Sequence, residues 1–135
     1  MKRISTNVQA CTGCKLCMLA CSFAHEKSFS LVNSRIRERR DEITNESSLS
    51  VCRQCDARVC ADVCPVEAIY FDKNLLILRV NREECLGCGR CVEACQHDGI
   101  FLDKNKKAVK CDLCAGDPIC VRYCVFPQAL AYVET

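Results

Sequence analysis

Sixteen of the 135 residues are cysteine, and they fall into four groups of four with none left over. Cys11, Cys14, Cys17 and Cys21 are spaced C-x2-C-x2-C-x3-C, and Cys85, Cys88, Cys91 and Cys95 repeat that spacing. Cys52, Cys55, Cys60 and Cys64 read C-x2-C-x4-C-x3-C, and Cys111, Cys114, Cys120 and Cys124 read C-x2-C-x5-C-x3-C. Half of the chain counts as apolar only because cysteine is included, and there is no tryptophan. The remaining apolar side chains support a modest core, so the cysteines must help to hold the fold. This excludes an ordinary packed enzyme carrying incidental cysteines. No long polar or low-complexity segment is present, which excludes a disordered chain.

The expected compartment decides between disulfides and metal. No stretch approaches the roughly 18 apolar residues that span a bilayer. The first ten residues hold Lys2 and Arg3 with no apolar run after them, so no secretory signal is expected. Arg39-Arg40 lies too deep, beside Asp41-Glu42, to read as a twin-arginine signal. The expected location is therefore the cytoplasm, with no membrane span, where thiols stay reduced and bind metal in preference to each other. Zinc sites favour paired C-x2-C knuckles separated by a dozen or more residues, which these crowded groups do not resemble.

The spacing suits cubane clusters for a geometric reason. Three thiolates on a tight loop reach three corners of the cluster. The fourth, three residues on, opens a helix and points toward a neighbouring cluster. Gly13, Gly87 and Gly89 fit such loops, because glycine admits positive φ and lets backbone N–H groups approach sulfur. Four ligands per cluster give four [4Fe–4S] clusters. The formal charge of +2 assumes neutral thiols. With sixteen thiolates and four oxidised cores counted, the net charge becomes about −6, so the chain gives no reason to expect nucleic-acid binding.

An internal repeat organises the chain. The run Cys64-Pro65-Val66-Glu67-Ala68-Ile69-Tyr70-Phe71-Asp72-Lys73-Asn74 aligns with Cys95-Gln96-His97-Asp98-Gly99-Ile100-Phe101-Leu102-Asp103-Lys104-Asn105. A third copy begins at Cys124, with Leu130 in register with Ile69 after one inserted residue. Each copy predicts a helical turn followed by an apolar strand. The Asp-Lys-Asn runs predict hairpins joining 69–71 to 75–80 and 100–102 to 108–109. The fold class expected is α+β, with short helices and β-hairpins in two nested two-cluster modules of the bacterial-ferredoxin kind. The short interval between Cys64 and Cys85 makes an inner module of 51–109. The first and last groups then pair around it as an outer module, 7–25 plus 110–133, within a single domain of 1–135. Nesting is preferred over two tandem ferredoxins. It predicts four ligand sets: Cys11, Cys14, Cys17 with Cys124; Cys111, Cys114, Cys120 with Cys21; Cys52, Cys55, Cys60 with Cys95; and Cys85, Cys88, Cys91 with Cys64.

The longest stretch without cysteine, 22–50, carries Phe23, Phe29, Leu31, Val32 and Ile36 as apolar anchors. Arg35-Ile36-Arg37 alternates like an edge strand, and 43–50 reads as a polar loop. The segment 22–40 is either a solvated mixed-charge face or a docking surface to which Arg35 and Arg37 contribute. Lys15 and Arg90 lie inside cysteine loops, where a cation would favour a reduced cluster or simply face solvent. His25 and His97 follow Cys21 and Cys95, but sixteen thiolates already complete four clusters without a histidine ligand.

The whole chain resembles the four-cluster ferredoxin-type electron-transfer subunits of multisubunit redox enzymes. The opening Cys11-Thr12-Gly13-Cys14-Lys15-Leu16-Cys17, with Ala20-Cys21, His25 and Ser34-Arg35-Ile36-Arg37, is most similar to small subunits of tungsten aldehyde oxidoreductases and related benzoyl-CoA reductases. Lys110-Cys111-Asp112-Leu113-Cys114 with Gly116, Pro118, Cys120 and Val121 resembles the family's fourth motif. The resemblance implies the same nested pairing and a large tungsten- or molybdenum-containing catalytic subunit as partner, or carbon monoxide dehydrogenase. The family often has proline after the last cysteine of each later motif. Here only Cys64 does, as Pro65; Gln96 stands in the third motif, and the fourth reads Cys124-Val125-Phe126-Pro127. No nucleophile–base pair, phosphate loop or dinucleotide fingerprint appears, so the expectation is a non-catalytic subunit. The alternatives are a free polyferredoxin that shuttles between enzymes and a cluster-based sensor, for which no spare module exists.

Overall fold

Short apolar runs bounded by turn residues produce four antiparallel strand pairs and four short helices among the described residues. The computed structural model describes residues 2–44, 46–55, 57–126 and 128–134. Pro127, noted in the fourth motif, lies outside them, as do the two terminal residues of the expected domain. In chain order the elements are β1 (Lys2–Thr6), α1 (Leu16–Glu26), β2 (Ile36–Arg40), β3 (Ser47–Val51), α2 (Val59–Asp62), β4 (Ile69–Asp72), β5 (Ile77–Val80), α3 (Arg90–Ala94), β6 (Ile100–Leu102), β7 (Ala108–Lys110), α4 (Ile119–Tyr123) and β8 (Leu130–Glu134). Three 3₁₀ turns, at Val8–Ala10, Leu31–Asn33 and Leu113–Gly116, complete the set.

The two repeated hairpins form where the sequence predicts them. In the first turn, Asp72 Oδ1 accepts the N–H groups of Asn74 (2.8 Å) and Leu75 (3.1 Å). In the second, Asp103 Oδ1 accepts those of Asn105 (2.9 Å) and Lys107 (3.0 Å). An aspartate that bonds its own downstream backbone holds the chain in a turn, so the repeated Asp-Lys-Asn is a structural device. Strands β4–β5 and β6–β7 pair across these turns.

Two other pairings differ from expectation. The stretch 43–50 is not wholly a loop: Ser47–Val51 is a strand paired with β2, Ile36 opposite Val51 and Glu38 opposite Leu49. Serine is a weak strand former, but Val51 is buried opposite Ile36 and Leu49 packs half-buried against the same cluster, and burial of that face decides the conformation. At the chain ends, β1 pairs with β8, with Ile4 opposite Tyr132 and Thr6 opposite Leu130. The third repeat copy thus takes its partner strand from the other end of the chain.

Helix α1 packs on α4, and α2 packs on α3. The chain's first cysteine group therefore lies beside its last, and the second beside the third. One apolar cluster gathers Ile4, Met18, Ile36, Val51, Ile77, Leu113 and Leu130 with Cys17, Cys21, Cys52, Cys111 and Cys120. A second gathers Ala68, Ile69, Leu78, Ile100 and Ala108 with Cys85 and Cys91. Cysteines are integral to both. Gly99 packs against the second cysteine loop: a Cβ there would come within 2.5 Å of the Cys52 Cα, which only glycine avoids. Among the described residues no helix is long and apolar enough to cross a membrane.

Candidate iron–sulfur centre

The four cysteine loops share one local geometry. In each, the N–H two residues after the first cysteine donates to that cysteine's sulfur: Gly13 to Cys11 (3.4 Å), Gln54 to Cys52 (3.3 Å), Gly87 to Cys85 (3.4 Å) and Leu113 to Cys111 (3.4 Å). All four donors have positive φ, at 75°, 52°, 73° and 57°. Glycine meets that requirement freely, and at Gly87 a Cβ would also lie 2.4 Å from the Lys106 carbonyl oxygen. Gln54 and Leu113 adopt it as strained non-glycine residues, at a cost of about 1–3 kcal/mol each. Such a bent, repeated N–H donation is a nest for an anion, and here the anion is sulfur.

The last cysteines receive donors of their own. Ala68 N–H donates to Cys64 (3.2 Å) and Gly99 N–H to Cys95 (3.3 Å), both four residues on. Arg35 N–H donates to Cys21 (3.3 Å), and Ala108 N–H adds a second bond to Cys85 (3.3 Å).

Three cavities bring cysteines of different groups together. Cys11, Cys14 and Cys17 line one with Cys124. Cys52, Cys55 and Cys60 line another, of about 200 Å³, with Cys95. Cys85, Cys88 and Cys91 line a third with Cys64. Among the remaining four, the charges of Cys111, Cys21 and Cys114 act on the buried Cys120 thiol, as does that of Cys17 from the first set. His97 is exposed and lines the Cys52 cavity, while Arg90 is exposed at the start of α3.

The donor set fits a multivalent cationic core. Burial pushes the Cys17 thiol up to about 12, and the neighbouring Cys11, Cys124 and Cys14 thiolates push the same way. Burial also lifts Cys111 to about 12 and Cys91 to about 11, and raises Cys120, Cys55 and Cys60. Four crowded thiols of this kind ionise together only when a cation shares the site.

Cys21 is the exception, with its thiol held below the usual range. Burial would raise it, but a hydrogen bond from His25 and the Arg35 N–H outweigh that effect. Both His25 ring nitrogens face acceptors: Nδ1 donates to the Cys21 carbonyl oxygen (2.8 Å) and Nε2 to Asp112 Oδ1 (3.0 Å). The ring is therefore an imidazolium, and its pKa is raised despite burial, chiefly by Asp112 and then by Cys114 and Cys21. Asp112 also accepts from Arg35 Nη1 (3.3 Å) and the Cys114 N–H (2.9 Å) and faces Arg79 (3.5 Å). These partners hold its carboxyl well below the ordinary range against burial. The spacing of His25 from Cys21 was visible in the sequence, but its partner Asp112, distant along the chain, was not.

Arg35 is consequently an internal group, with a side chain only 13% exposed, rather than a surface contributor. Arg37 stacks over Phe101 at 4.2 Å and bonds the Val32 and Ser34 carbonyls. Lys15 reaches Glu38 Oε2 at 2.7 Å, and Glu38 is buried, so β2 carries an inward carboxylate beside the Cys11 cavity.

Residues 52–106 match the family described as LdpA Fe-S cluster-binding domain, and residues 9–24 match a 4Fe-4S binding domain. The chain is 36% identical over 115 residues to the aliphatic sulfonate oxidoreductase polyferredoxin-like subunit of Pyrococcus furiosus, spanning 84% of this chain and 66% of that one. It is 36% identical over 127 residues to an uncharacterised ferredoxin of Methanocaldococcus jannaschii, spanning 91% and 74% respectively. Several relatives are longer: this chain covers 66%, 52% and 28% of three of them. A benzoyl coenzyme A reductase complex, BamBC with benzoyl-CoA, contains a chain of the same fold. Its TM-score is 0.59 at 22% identity, covering all of this chain and 80% of that one. The chain belongs to the [4Fe–4S] ferredoxin-like iron–sulfur proteins, a family that includes polyferredoxin-like oxidoreductase subunits.

Proposed function

We propose that this protein is a non-catalytic electron-transfer subunit of a cytoplasmic, multisubunit oxidoreductase. It holds four [4Fe–4S] clusters in two nested modules, inner 51–109 and outer 7–25 plus 110–133. Its partner is a large catalytic subunit of the tungsten or molybdenum aldehyde oxidoreductase type, with an external acceptor or second subunit at the other end. When bound, the clusters supply one-electron storage and transfer. The observation that carries the reading is the sharing of cavities, in which the last cysteine of one group joins three from another. The ligand sets are Cys11, Cys14, Cys17 and Cys124; Cys111, Cys114, Cys120 and Cys21; Cys52, Cys55, Cys60 and Cys95; and Cys85, Cys88, Cys91 and Cys64.

The chain's own contribution is to bury the thiolates, aim N–H donors at their sulfurs and fix nearby charges. These are the levers that set cluster potentials. The relatives named as oxidoreductase subunits favour a lasting partner over free shuttling. Phe23, Phe29, Leu31 and Val32 are exposed, with Phe29 at 69% and Val32 at 50%, and Phe23 stacks on Phe29 with ring centres 4.8 Å apart. Within 22–40 this apolar group, rather than Arg35 or Arg37, is the contact face. A permanent interface of this class buries more than about 2,000 Å².

Native purification tests the assignment. The chain is expected to elute with a large catalytic subunit, and the double variant Phe29→Asp, Val32→Asp is expected to release it with its iron content unchanged. A native protein that runs as a monomer at every concentration and exchanges rapidly among several enzymes would establish the shuttle instead.

A further inference from the structure

Lys110 is 3% exposed, and among the described residues no other lysine or arginine is buried as deeply. Its ammonium donates to Gln54 Oε1 (3.1 Å), the Cys111 carbonyl oxygen (3.1 Å) and the Leu78 carbonyl oxygen. Three donors meet three acceptors, so the group is locked in place. All three acceptors are neutral, and the described residues offer it no ion pair. A buried ammonium without a counter-charge is strongly disfavoured, so an anion must stand nearby.

Gln54 connects the ammonium to a cysteine sulfur. Its side-chain amide donates to the same Cys111 carbonyl oxygen (3.0 Å), and its backbone N–H donates to Cys52 Sγ (3.3 Å). Lys110 itself lines the cavity of Cys52, Cys55, Cys60 and Cys95, and it immediately precedes Cys111. Its charge acts on the thiols of both Cys60 and Cys111. A hydrogen-bonded bridge therefore runs from the Cys52 sulfur through Gln54 to the backbone of Cys111, with the ammonium beside it. Within each half, helix packing brings two cysteine groups together. Between the halves, this bridge links the second cysteine group to the fourth.

We propose that Lys110, held by Gln54, is the shared counter-ion of two thiolate sets, Cys52/Cys55/Cys60/Cys95 and Cys111/Cys114/Cys120/Cys21. It stabilises one added electron on either set, so that the junction between the halves is not a barrier. No bond forms and no proton is taken up. The inference rests on the four-cluster reading, and Lys110 is a positioning residue, since it acts through the ligands.

The test is an anaerobic redox titration of the holoprotein followed by electron paramagnetic resonance, with iron content measured on every sample. Lys110→Met removes the charge. Gln54→Glu keeps the shape and places a carboxylate against the ammonium. Each is expected to move two of four midpoint potentials to more negative values and leave the other two in place, and Lys110→Arg is expected to restore them. If Lys110→Met does not load fully, the near-isosteric Gln54→Glu carries the comparison. Fully loaded variants with four unmoved potentials would overturn the inference alone. A wild-type protein with fewer than four clusters would overturn it together with the four-cluster reading.

Discussion

Stripping the iron from this protein is expected to abolish its cooperative unfolding transition. The secondary structure cannot stand without help. Among the described residues each sheet has two strands, and isolated hairpins are marginal in water. The longest helix has 11 residues and the others have four or five, all below the length at which helices persist alone. Among the described residues cysteines make up a third of the buried hydrophobic positions: Cys17, Cys21, Cys52, Cys85, Cys91, Cys111 and Cys120. Without iron, those thiols lose the bonds that join distant segments, and binding energy is folding energy in such a site. Anaerobic chelation followed by near-ultraviolet circular dichroism and a thermal scan checks this. An apo form with native dichroism and an intact transition would contradict it.

The second large effect separates cross-group ligation from self-contained groups. In the nested arrangement Cys14 and Cys124 serve one cluster, while Cys21 serves another. The double variant Cys14→Ala, Cys124→Ala is therefore expected to lose about four irons, no more than either single variant. The double variant Cys14→Ala, Cys21→Ala is expected to lose about eight. If each group of four held its own cluster, these two results would exchange places. The geometry behind the expectation is specific. Cys124 lines the cavity of Cys11, Cys14 and Cys17, whereas the Cys21 sulfur lies 3.6 Å from His25 Nδ1 and its charge acts on the Cys120 thiol. Iron analysis with Mössbauer spectra on each variant reads the outcome directly.

The parts of this fold that were legible in the sequence are those fixed locally. The cysteine loops announce themselves by spacing, and the Asp72 and Asp103 turns by a repeated tripeptide whose aspartate caps its own turn. The strand β3 was not legible, because its serines carry no strand signal and its apolar contacts come from two residues, the buried Val51 and the half-buried Leu49. The pairing of β1 with β8 was hidden for another reason: it joins the two ends of the chain, and no local pattern encodes that distance. The same distance hid the Asp112 carboxylate that charges His25 and engages Arg35. Lys110 read as an ordinary motif residue, since burial and neutral acceptors are properties of the assembled fold. Local chemistry thus singled out the candidate ligands, while the charges set beside them emerged only from tertiary packing.

The count of iron and acid-labile sulfide in the anaerobically reconstituted chain tests the central claim most directly. Sixteen cysteines at four per cluster predict about 16 iron and 16 sulfide per chain. A plateau at about eight iron, or tight zinc in place of iron and sulfide, would contradict it.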